Sequence, residues 1–176
     1  MSFETVRRWL GLGEATPAAP EHAPLRALVD SLEQLEPARA RHLARFAYLL
    51  GRVAHADQHV TPEETRAMEA LVVDAGGLTP DQAVIVVGLA KSANRLFGST
   101  ADYEVARDFS EESTYDEKLA LARCLFRVAA TDESISVAEE SEIHRIATHL
   151  KIQPADLTAL RVSHARFLPG LSDRRS

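Results

Sequence analysis

One segment of the chain occurs twice, and the two copies superpose at a uniform offset of 75 residues. The first copy runs from Arg52 to Glu64 and the second from Arg127 to Glu139. Asp57 falls on Asp132, Val60 on Ile135, Thr61 on Ser136 and Glu64 on Glu139. The same offset carries Met68, Leu71 and Val72 onto Ile143, Ile146 and Ala147. Core positions therefore repeat together with the motif. A chain built this way must place two related helix–loop–helix units in one domain.

The apolar positions of both units recur with a period of 3.6, the signature of amphipathic helices. Pro37 opens a helix at its favoured first position, and Ala40, Leu43, Ala44, Ala47, Leu50, Gly51 and Ala54 mark its inner face. Thr61 and Pro62 start the next, which Gly76 and Gly77 end, as glycines do at helix C-termini. Thr79-Pro80-Asp81-Gln82 starts a further helix through Leu96 and Phe97. It is Val-rich and predicted to be the buried centre of the fold.

A short helix around Tyr103–Phe109 follows, then one over residues 116–130, its partner opening at Ser136, and a last helix from Pro154. Sparse glycine, 6% aromatics and abundant Ala, Leu, Glu and Arg agree with this pattern, and no segment alternates with period 2. The fold class is all-α, a single domain of about seven or eight helices.

The ends read differently. Residues 1–13 form a short amphipathic segment, with Phe3, Val6 and Leu10 at helical spacing beside Trp9, Arg7 and Arg8. So short a helix must dock on something to be ordered, either its own domain or a partner or membrane surface. Residues 14–24 are a linker stiffened by Pro17, Pro20 and Pro24. A first short helix spans Leu25–Leu32, the globular domain runs over residues 25–166, and residues 167–176 form a tail.

A formal charge of −6 argues against nonspecific nucleic-acid binding, which needs a basic footprint. The single cysteine, Cys124, excludes an internal disulfide and a multi-cysteine zinc site. It reads as a small buried hydrophobe. No secretory signal and no apolar run near 20 residues is found, so the expected location is the cytoplasm. A nucleophile with its base, a phosphate-cradling glycine loop and a His-Glu-x-x-His helix are all missing, so no enzymatic activity is expected.

The four repeated acids admit two compatible explanations. Thr61-x-x-Glu64 and Ser136-x-x-Glu139 each satisfy the capping-box pattern, in which hydroxyl and glutamate bond the first amides of a helix. Asp57 and Asp132 are then loop formers. The other explanation is a cation site: Asp57, Glu64, Asp132 and Glu139 meeting across a pseudo-twofold would offer oxygen ligands to Ca²⁺ or a similar ion. Glu63, Glu133 and Glu140 are secondary candidates. The EF-hand spacing is absent, so binding is expected to be weak. His55 and His59 flank Asp57 but have no counterparts in the second copy and read as solvated loop residues.

The doubled segment resembles the hallmark of the TerB family, Ala-Asp-x-x-[Ile/Val]-[Ser/Thr]-x-x-Glu, once per half of an all-helical domain. It matches Ala56–Glu64 in one copy and Thr131–Glu139 in the other, and the likeness covers residues 25–166. Gln58 and Glu133 stand where a small residue commonly follows the aspartate, and Thr131 replaces the alanine. The family also resembles the N-terminal domain of DjlA-type co-chaperones, but the His-Pro-Asp of a J-domain is absent.

The resemblance implies a noncatalytic stress-response adaptor of the tellurite-resistance type. It further implies a divalent cation held by the four acids, protein partners in a membrane-associated assembly, and peripheral contact with the inner face of the membrane through residues 1–13. The alternative is a purely structural protein-interaction domain without metal.

Overall fold

The computed structural model describes residues 36–56, 60–96 and 99–168. Every regular element among them is helical. The segment 1–13, the linker and the helix expected over Leu25–Leu32 lie outside the described residues.

Helix α1 spans Pro37–Ala54, with Pro37 in its first turn and the Glu36 carboxylate accepting from the amides of Ala38 and Arg39 at 3.1 and 3.0 Å. Helix α2 spans Pro62–Gly76 and ends at Gly77, whose φ of 59° is left-handed and whose N–H reaches the Val73 carbonyl. Glycine adopts that conformation without the Cβ penalty. Helix α3 spans Pro80–Leu96, its first turn closed by reciprocal bonds between Thr79 and Gln82.

Helix α4 covers Ser99–Glu112, longer at both ends than the Tyr103–Phe109 pattern suggests. Helix α5, Tyr115–Ala129, begins one residue ahead of the expected Asp116 because Thr114 and Glu117 form a capping box. Helix α6 covers Val137–His149 and α7 covers Pro154–Ser163, followed by a 3₁₀ turn over Ala165–Phe167.

The repeat in the sequence is a repeat in space. Helices α1 and α5 end at Ala54 and Ala129, and α2 and α6 begin at Pro62 and Val137, each pair at the 75-residue offset. Leu50 and Leu125, Val53 and Val128, Met68 and Ile143, and Leu71 and Ile146 are all buried in one core.

The helix at the centre is α1, not α3. Every residue from Leu43 to Ala54 is buried, and α1 packs against α2, α3, α4, α5 and α6. Helix α3 instead leaves Val84 half exposed on its outer side. A helix enclosed on all sides needs apolar or paired residues around its whole circumference. Here the polar ones are paired: Arg45 bonds Asp108 at 3.2 Å and Glu112, and Arg52 bonds Asp102 at 3.5 Å and Glu142.

The Tyr48 hydroxyl donates to Asp102 at 2.5 Å. Gly51 supplies the close approach to α3, since a Cβ there would sit 2.6 Å from Asn94 Nδ2, which caps the Tyr48 carbonyl. Among the described residues, no single helix is long and apolar enough to cross a membrane.

Candidate acidic site at the two repeat loops

Each repeat loop leads from a buried helix end into a capping box. In the first, Thr61 Oγ1 accepts from the Glu64 amide at 3.1 Å while Glu64 Oε2 accepts from the Thr61 amide at 2.7 Å. In the second, Ser136 Oγ accepts from the Glu139 amide at 3.1 Å and Glu139 Oε2 from the Ser136 amide at 2.7 Å. The two boxes thus match in both amide bonds, as the sequence pattern predicts. Val60 and Ile135, just ahead of the caps, anchor the loops by packing on the core. Ile135 is tied further by its N–H to the Phe167 carbonyl at 2.7 Å.

The loops face each other. The Thr61 hydroxyl, bonded to Glu64 Oε2 at 3.1 Å, also lies 3.4 Å from Asp132 Oδ1 of the other repeat. Glu64 and Glu139 are both buried, at 4% and 5% exposure. Burial pushes the Glu64 carboxyl up to about 6, against the lowering effect of its two bonds from Thr61, and the negative charges of Glu139 and Asp132 push it the same way. Two of the other acids singled out from the sequence, Glu139 and Asp132, therefore act electrostatically on Glu64. Asp57 and the neighbouring His59 lie outside the described residues.

The second loop is bent sharply. Glu133, immediately after Asp132, has a φ of 60°, and its N–H reaches the Ala130 carbonyl at 3.2 Å. The tight turn thus forms with glutamate where a small residue is the family habit, at a steric cost that an L-residue carries in the left-handed region.

Two of the three secondary candidates are otherwise engaged. Glu63 pairs with Arg66 at 3.0 Å on an exposed face, and Glu140 pairs with Arg161. Among the described residues, no group of three or more His, Cys, Asp or Glu is placed to hold a metal ion. Glu64, Asp132 and Glu139 share an electrostatic environment but do not by themselves close around a cation. Cys124 is half-buried against the core, and burial pushes its thiol up, away from the reactive thiolate.

Sequence patterning missed the ion-pair seam on α1. Its signal was the i, i+3, i+7 spacing of Arg45, Tyr48 and Arg52, a polar stripe on the stretch from Leu43 to Ala54, whose other residues are apolar.

The doubled capping box, the left-handed turn after Asp132 and the paired core positions lie in a stretch that also stands out by comparison. Neither a curated protein nor a solved structure matches the chain. Residues 44–162, from the second turn of α1 into the last turn of α7, match the model of the family described as tellurite resistance protein TerB, and the chain belongs to that family.

Proposed function

We infer that the protein is a noncatalytic stress-response adaptor of the tellurite-resistance type, whose facing acidic loops take up a divalent cation weakly. The observation that carries this reading is the buried Glu64 carboxyl, pushed up to about 6 with Glu139 and Asp132 adding to the shift. Like charges held together in a half-desolvated site are relieved either by a proton or by a cation.

Each cap engages Oε2 of its glutamate, so capping and ligation are compatible. Glu64, Asp132 and Glu139 supply oxygen donors suited to a hard ion such as Ca²⁺. Asp57 joins them on the strength of the sequence repeat alone. The cation would contribute charge neutralisation between the loops, while Thr61 and Ser136 hold the glutamates in place.

The adaptor role extends to protein partners, with residues 1–13 as the docking segment of a cytoplasmic protein working at the inner face of the membrane. The support is the family membership and the amphipathic pattern of that segment.

Calorimetric titration of Ca²⁺, Mg²⁺, Mn²⁺ and Zn²⁺ into metal-stripped protein tests the cation. Heat that saturates with at least one of them, and vanishes in Asp57→Asn/Asp132→Asn with the fold retained, supports it. No binding at millimolar cation sinks it.

A second reading has its own observation: both capping boxes are complete without any ion. On that reading the domain is a structural interaction module, and chelators change neither stability nor partner capture.

A further inference from the structure

A second place in the molecule offers room for a ligand, beside the first repeat loop and on the α3 side of it. Between α2 and α3 opens a cleft of about 580 Å³. Its walls are Val60, Val84 and Val87, with Glu69 and Lys91 as charged groups and Gly88 at its side. A volume of this order accommodates a small organic molecule.

Two features of the cleft are unexplained by folding. The first is Lys91. Its ammonium donates to Thr65 Oγ1 at 3.0 Å, but it forms no ion pair with any carboxylate among the described residues. The Thr65 hydroxyl in turn donates to the Thr61 carbonyl at 3.0 Å. Among the described residues, the bond to Thr65 engages one of the three N–H donors of Lys91.

The second is Gly88, in the interior of α3, where glycine is a poor helix former. A Cβ there would meet nothing within 4 Å. No packing contact requires glycine here, and a large side chain at this position would project into the open space at the side of the cleft.

We propose that the cleft is a binding site for a small amphipathic organic anion, with the carboxylate or sulfonate on Lys91 and the apolar part against Val60, Val84 and Val87. Pairing in a half-enclosed cleft, lined by Thr65 and Ser92 as well as by the valines, strengthens a charge-assisted bond over one in open water. Glu69 shares the cleft and opposes a second negative charge, which selects monoanions over dianions. Binding of the anion requires no cation and is tested on metal-stripped protein.

Anilinonaphthalene sulfonate, a fluorescent monoanion with apolar rings, is the probe, titrated against the full chain with thermal melts as a check on folding. One saturable site is expected. Lys91→Met, which keeps the aliphatic stem, should weaken binding about tenfold, the loss of one charge-assisted bond. Gly88→Leu should abolish binding while the melt stays cooperative, and Glu69→Gln should tighten it. Octanoate should displace the probe at lower concentration than octanol. Equal affinity in Lys91→Met and Gly88→Leu, or equal displacement by the alcohol, overturns the proposal. If either variant unfolds, the octanoate–octanol comparison on the unaltered chain still decides.

Discussion

The Thr61 hydroxyl of the first repeat lies 3.4 Å from Asp132 Oδ1 of the second, bridging 71 residues of sequence. The same oxygen accepts the Glu64 amide and bonds the Glu64 carboxylate. One side chain therefore caps a helix, orients a buried acid and joins the two acidic loops.

Removal of that hydroxyl is expected to cost more than removal of its counterpart. Ser136→Ala loses a cap, worth about 1 kcal/mol. Thr61→Ala loses the same cap together with the contact to Asp132. Urea unfolding of both variants should show Thr61→Ala the less stable; the reverse order contradicts the cross-loop role.

The pH dependence follows from Glu64. Its carboxyl is raised in the folded state from 4.5 to about 6, so folding favours the protonated form. The stabilisation from this group is complete below about pH 4.5 and is lost as pH rises through about 6. Glu64→Gln keeps an acceptor for the cap and removes the charge. It should raise the melting temperature at about pH 8 and have no such advantage at about pH 4.5. Cation binding should run the opposite way, weakening as pH falls through about 6. Melts with and without Ca²⁺ across that range check both.

Among the described residues, two sit in the left-handed region without being glycine: Glu133 at φ 60° and Lys151 at φ 59°. Lys151 follows α6 much as Gly77, at φ 59°, follows α2. Glu133→Gly and Lys151→Gly should each stabilise by up to about 1 kcal/mol, the steric penalty relieved less the extra chain entropy. A lower melting temperature in either would mean that its side chain makes a contact worth more than the strain.

The buried seam breaks the internal symmetry. Arg52 is 7% exposed and paired with Glu142 and Asp102, whereas Arg127, its equivalent in the second repeat, is exposed. Arg52→Met leaves Asp102 with the Tyr48 hydroxyl and the buried Glu142 with only the exposed Arg145, and should cost about 3 kcal/mol. Arg127→Met should change stability by less than about 0.5 kcal/mol. Similar losses in both would show that the seam does not hold α1 against α4 and α6.

Much of this was legible in the sequence. Local rules act within a few residues, so Pro37, Thr61, Pro80, Ser136 and Pro154 located their helix starts, and the repeat located matching core positions. What escaped depends on long-range packing. Helix α1 reads as one-sided by its apolar spacing, yet it is enclosed, because Arg45, Tyr48 and Arg52 find acids on α4 and α6 that lie far along the chain. The Thr114 cap escaped because it sits between two helices whose boundary carries no glycine or proline. The proximity of Asp132 to Thr61 and Glu64 follows from how the two units pack, which the repeat predicts only as a symmetry. Lys91 and Gly88 carry no motif, and their relation exists only in the cleft.

The central claim is that the two acidic loops jointly take up a cation. Paramagnetic Mn²⁺ added in substoichiometric amounts to isotope-labelled protein reads this residue by residue through the broadening of amide resonances. Broadening confined to the amides around Thr61 and Glu64 in one loop and Asp132, Ser136 and Glu139 in the other, reversed by excess Ca²⁺, is the predicted result. No selective broadening, or broadening centred away from these two loops, would contradict it.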